Sequence, residues 1–154
     1  MPWWQNIPFF SILLCLLSGA VCAVLSRKAA RIWVGGVLGL CLGLGVILLG
    51  QMMAQDAESF NYMMGHFPAP FGNELRCGPL EAFLGCLFPG IMVCALLGGR
   101  DPLIWLPENH RESLYLALCM LLQAALLTQV YSNDLFTCYV FLEIMTLTAC
   151  AKIG

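Results

Sequence analysis

Asn133-Asp134-Leu135-Phe136-Thr137-Cys138-Tyr139-Val140-Phe141-Leu142-Glu143-Ile144-Met145-Thr146-Leu147-Thr148-Ala149-Cys150-Ala151 decides how the chain is read. A single carboxylate, Glu143, stands in the middle of an apolar, aromatic-rich run long enough to enter a bilayer. Placing an ionised acid there costs roughly 2.5 to 3.5 kcal/mol on insertion scales, so the residue needs a reason. The functional reason is an ion or proton relay inside a helix bundle. The structural one is a hydrogen bond, or a protonated acid packed against a neighbouring helix.

The rest of the chain supplies the membrane context. Of its 154 residues 60% are hydrophobic and 10% charged, and the mean hydropathy is +0.84. Soluble domains carry about 25% charged residues, so the composition implies an integral membrane protein. Seven basic residues against nine acidic ones nearly cancel. Neither nucleic acid nor an acidic soluble partner is suggested by charge, and no basic and aromatic residues interleave as a nucleic-acid surface would.

Five apolar segments are expected as transmembrane helices, at about residues 7–25, 32–53, 80–98, 114–131 and 135–151 of a single all-α membrane domain covering 1–154. In the first, the basic residues Arg27, Lys28 and Arg31 follow the apolar run instead of preceding it, which suits a retained helix and not a secretory signal. Ala20-Val21-Cys22 is a weak lipoprotein-like site, opposed by the missing basic start and by the apolar segments downstream. The second segment has Gly35, Gly39 and Gly43 at every fourth position. Hydrogens on one face let another backbone approach, so a packing face is expected there.

Residues 54–79 form the one substantial polar loop. Gly65 to Gly72 is punctuated for turns, and the flanking pieces, 60–64 and 73–77, are expected to pair as a short extramembrane hairpin. His66 reads as a surface residue. The third segment opens with Pro79, suited to a first helical turn, and contains Pro89, which frees the Gly85 carbonyl and should kink the helix. Glu81 reads as a solvated end residue, favourably placed at a helix N-terminus, and is a candidate accessory polar group. Residues 99–113 are expected as a charged connection with Trp105 at the interface. In the fourth segment Gln123, Thr128 and Gln129 are expected to face other helices, as accessory polar groups. Ser132-Asn133-Asp134 then makes a tight turn, so segments four and five should be antiparallel neighbours.

The nine cysteines include no Cys-x-x-Cys, and neither His66 nor His110 has a cysteine or histidine at ligand spacing. They read as small buried hydrophobes, with no metal and no cofactor implied. No nucleophile, base and orienter occur together, so catalysis by the chain itself is not expected. With the N-terminus outside, Arg27, Lys28, Arg31, Arg100, Arg111 and Lys152 are cytoplasmic and only Arg76 is outside. That positive-inside bias places the N-terminus outside and the C-terminus inside the plasma (inner) membrane, with the hairpin loop outside.

The Gly-rich second helix, the Phe67-Pro68-Ala69-Pro70-Phe71-Gly72-Asn73-Glu74-Leu75 turn, and Asn133-Asp134-Leu135-Phe136 leading into Phe141-Leu142-Glu143-Ile144-Met145 together resemble the proton-conducting antiporter-like subunits. These are shared by respiratory complex I, Mrp cation/proton antiporters and membrane-bound hydrogenases. The resemblance is to their N-terminal part, and it implies that Glu143 is the principal glutamate of a proton half-channel. Two departures stand out. The family commonly has an aspartate at the start of the third helix, where this chain has Gly78, with Glu81 one turn away. The family's chains are also much longer, and the lysines that pair with the glutamate lie on later helices. Lys152 cannot replace them, because nine residues of helix put it about 13 Å from Glu143 along the axis.

The chain is therefore expected to be a split gene product, a truncated remnant or part of a longer polypeptide. The expected partners are the lipid bilayer and other membrane subunits, one of them supplying later helices and an intramembrane lysine. The implied function is one part of a module translocating protons, with sodium as the second candidate ion. Any redox centres of an oxidoreductase complex would lie in other subunits. The alternatives are a non-conducting structural subunit of such a complex, or an unrelated small membrane protein.

Overall fold

A computed structural model describes residues 3–54, 59–63, 74–98 and 109–153, without the side chains of 109–111 and 153. The Gly65 to Gly72 turn, His66, Trp105 and the side chains of Arg100, His110 and Arg111 lie outside the described residues. A 3-10 turn, Trp3–Asn6, leads into α1 (Ile7–Val24). There follow α2 (Arg27–Ala54), β1 (Phe60–Met63), β2 (Glu74–Cys77), α3 (Pro79–Gly98), α4 (Asn109–Tyr131) and α5 (Leu135–Ile153). All five helices are long and apolar enough to cross a membrane. In hydrocarbon a helix satisfies every backbone hydrogen bond within itself, which is why such runs adopt it.

α4 is the central helix, packing against α1, α2, α3 and α5, whereas α5 packs on α4. Buried residues of α4, among them Leu116, Cys119, Met120, Ala124 and Leu127, meet the core faces of α1 and α2, which present Cys15, Cys22, Val34, Leu38 and Leu48.

Two helices begin earlier than their apolar runs. α2 starts at Arg27 instead of residue 32, and α4 at Asn109 instead of residue 114. Sequence reading stopped each helix where charge begins, but those charges are partnered by packing and the backbone remains helical through them.

The glycine face of α2 is a correction. β-Carbons built at Gly35, Gly39 and Gly43 meet nothing within 4 Å, so this face makes no helix contact among the described residues. The close approach is at Gly45, where a β-carbon would lie 3.0 Å from Cys86 Cα and 3.1 Å from the Gly85 oxygen of α3. That oxygen is the carbonyl released by Pro89, around which α3 continues as a helix. On its other side Gly85 meets Tyr131 of α4, whose hydroxyl would be 1.8 Å from any β-carbon there. A backbone approach at Gly45 and a side-chain approach by Tyr131 at Gly85 thus lock α3 between α2 and α4.

β1 and β2 pair antiparallel, with Phe60 opposite Cys77 and Met63 opposite Glu74. The pair sits on the start of α1, through an edge-to-face Trp4–Phe60 contact and a stacked Phe9–Tyr62 contact with ring centroids 5.2 and 6.0 Å apart. Its other edge reaches the α4–α5 turn. Leu75 bridges Ser132, and the Asn133 amide donates to the Glu74 carbonyl at 2.9 Å.

The cysteines divide. Cys15, Cys22, Cys41, Cys77 and Cys119 are buried, but Cys94 and Cys150 are exposed, and all nine are free thiols. Burial, helped by the Glu81 charge, pushes the Cys77 thiol up to about 12, so it stays protonated.

Candidate functional site: the outer face of the fifth helix

The turn into α5 explains the first half of the motif. Asp134 caps the helix: one carboxylate oxygen accepts the Thr137 amide at 3.1 Å and the Thr137 hydroxyl at 2.9 Å, and the other accepts the Phe136 amide at 3.4 Å. These satisfy amides that a helix start leaves without partners. Hydrogen bonding, first from the Thr137 hydroxyl and then from the two amides, holds the Asp134 carboxyl below its ordinary value. α5 is tied to α4 by the Gln129 side-chain amide, which donates to the Cys138 carbonyl.

Nine residues beyond the cap, about 13 Å along the axis, Glu143 lies midway along α5 and is exposed. Phe136, Tyr139, Val140, Glu143 and Leu147 follow one helical stripe at spacings of three and four. Phe136 is 73%, Tyr139 63% and Leu147 68% exposed, so the whole stripe faces away from α4. The Glu143 carboxylate pairs with no group among the described residues; only its backbone carbonyl is engaged, by the Thr146 hydroxyl at 2.8 Å. The arrangement is an ionisable group centred on an uncovered apolar and aromatic surface.

The accessory residues do not gather around it. Glu81 accepts the Gly78 amide at 2.9 Å, a reach-back from the third helical position that caps α3. Gln129 is the one amide of the sequence-derived set that bonds across helices. Thr128 instead donates to the Ala124 carbonyl of its own helix at 2.9 Å. Gln123 is fully buried with neither amide atom partnered among the described residues. No hydrogen bond among those residues joins any two of Glu81, Gln123, Thr128, Gln129 and Glu143.

Sequence reading missed a charged cluster. Glu112, 1% exposed, is ion-paired with both Arg27 and Arg31 across 85 and 81 positions of sequence. The arginines are four apart on α2 and so project from one face. The signal that could have revealed Glu112 is Asn109-x-x-Glu112 directly before an apolar run, the spacing of a capping box. Lys152, near the end of α5, lies 4.7 Å over the Tyr115 ring, also in the first turns of α4. Arg27, Arg31 and Lys152 thus meet at one end of the bundle.

No family model matches the chain. It is similar to NADH-quinone oxidoreductase subunit N of Desulforudis audaxviator (strain MP104C), at 30% identity over 152 residues, covering 97% of this chain and 30% of that protein. It is also similar to a probable K(+)/H(+) antiporter subunit from Rhizobium meliloti (strain 1021), at 28% identity over 152 residues, covering 93% of this chain and 27% of the relative. The chain therefore spans less than a third of the length of the curated relatives it matches. Along nearly all of its residues, on five helices long and apolar enough to cross a membrane, the chain is thus similar to antiporter-like membrane subunits.

Proposed function

We propose that this chain is one part of an ion-translocating module in a complex I-like, hydrogenase-like or Mrp-type membrane complex, with Glu143 as its proton-carrying group. The observation that carries this is the position of Glu143, midway along α5 on an apolar face that no described residue covers. A carboxylate left against lipid costs too much to persist without a role. The face is covered by further helices, in the same polypeptide or in another membrane subunit, and these bring a cation to the carboxylate. An opposite charge nearby favours the ionised form, and desolvation favours the neutral acid. Movement of a lysine toward and away from Glu143 switches it between the two. Sodium coupling is a variant of the same chemistry.

Similarity to two antiporter-like subunits supports this reading over an unrelated small membrane protein. The gathering of Arg27, Arg31 and Lys152 at the α4 N-terminal end supports a cytoplasmic position for that end, with the C-terminus inside and the N-terminus outside. Affinity purification from native membranes in mild detergent tests the assembly: co-purifying membrane subunits, or a longer polypeptide containing these residues, are expected. A well-behaved, isolated 154-residue monomer would contradict it.

A further inference from the structure

We infer that the α2–α3–α4 face at the basic end of the bundle is a binding site for an anionic phospholipid, with its phosphate at Lys28 and Arg31 and an acyl chain in the groove beneath. This inference stands apart from the transport reading, because none of its residues is on α5.

The groove encloses a cavity of about 200 Å³. Its walls are Val34, Gly35 and Leu38 of α2, Leu96 and Leu97 of α3, and Leu116 of α4. Gly35 has no neighbour among the described residues within 4 Å of a β-carbon position, so no side chain of α2 fills the cavity there. Arg31 and Glu112 close one end only, each about one turn before its apolar neighbours Val34 and Leu116. An apolar slot with a charged mouth fits an amphiphile.

Charge selects which amphiphile. Among the described residues at this end Arg27 and Arg31 pair with the carboxylate of Glu112, Lys28 adds a third cation, and a second recess there is lined by all three cations. By sequence, residues 99–111 carry Arg100 and Arg111 against Asp101 and Glu108, so the connection and the first residues of α4 do not change this balance. These cations also occupy the first turns of α2, where the helix dipole disfavours positive charge. An anion relieves both excesses. Glu112 engages Arg31 at Nε, and the guanidinium's remaining donors suit a phosphate. Basic pockets between membrane helices bind anionic headgroups by this combination.

The test uses the full chain, assembled with its native complex, in phosphatidylcholine vesicles containing a trace of chain-spin-labelled phosphatidylglycerol or phosphatidylcholine. The motionally restricted fraction of each label is read by electron paramagnetic resonance. Phosphatidylglycerol is expected to be retained in preference, and Lys28→Gln with Arg31→Gln is expected to lower that preference by about fivefold per charge removed. Gly35→Leu, which alters no charge and fills the slot, is expected to lower it as well. Equal retention of the two labels in the parent protein, as would follow if residues of the 99–108 connection filled the slot, would overturn the site. So would an undiminished preference in Gly35→Leu, which would mean diffuse attraction to surface charge.

Discussion

Gly45 of α2 lies against the backbone of Cys86 in α3, so that a β-carbon at Gly45 would stand 3.0 Å from the Cys86 Cα. Backbone cannot swing aside as a side-chain tip can, and Gly45→Ala is expected to force α2 and α3 apart. Gly39→Ala and Gly43→Ala, where no described residue lies within 4 Å, are expected to leave stability unchanged or slightly raised, since alanine is the better helix former. Thermal denaturation of the three variants in one detergent checks this. Gly85→Ala should be the most damaging, because Tyr131 fills its space.

The two glycine sets show what periodicity can and cannot convey. A repeat of four identifies a smooth face but not what lies on it, and in α2 the close contact falls at Gly45, on a different side. The five spans were legible because apolar runs of that length have few alternatives. The first turns of α2 and α4 were not, because Arg27, Arg31 and Glu112 look like loop residues until a pairing 81 to 85 positions away buries them. Glu143 stands out in the sequence by its chemistry, a carboxylate midway along an apolar run, whereas its surroundings were not legible, since no described residue covers it. The aspartate of the motif proved to be a helix cap, a role its position before an apolar run allowed but did not single out.

Loss of Glu112 is expected to destabilise the bundle. Removing one member of a buried ion pair typically costs about 3–5 kcal/mol, and the partial exposure of both arginines, 29% and 45%, should bring the value for Glu112→Ala below that range. Denaturation of Glu112→Ala beside Arg31→Gln checks the assignment. The arginine variant should be milder, since Arg27 still pairs with Glu112.

The Asp134 cap makes the start of α5 sensitive to acid. Its carboxyl is held below the ordinary value, so its contribution is complete above the unfolded pKa and is lost as pH falls through the folded one. Amide exchange at Phe136 and Thr137, corrected for intrinsic rates, is expected to accelerate as pH drops below the usual carboxylate range. In Asp134→Asn, which keeps an acceptor but cannot titrate, that extra acceleration should be absent.

The orientation is open to accessibility labelling. In otherwise cysteine-free protein, a cysteine at Asp56 is expected to react with an impermeant reagent from outside intact cells. One at Lys28 should react after access from the cytoplasm. The opposite pattern would invert the assignment based on the basic residues.

Glu143→Gln is nearly isosteric, can keep a hydrogen bond, and cannot release a proton, so it separates carrying a proton from holding a helix in place. Glu143→Ala would separate them less well, because it also removes packing beside whatever covers α5. Proton translocation by the assembled complex should be measured for Glu143→Gln with Glu81→Gln as control, after normal subunit content has been confirmed. The expected result is that Glu143→Gln abolishes or greatly reduces translocation, while Glu81→Gln, altering a helix cap, is mild. A Glu143→Gln complex that assembles normally and pumps at the parental rate would contradict the transport role and favour the reading of the chain as a structural, non-conducting subunit.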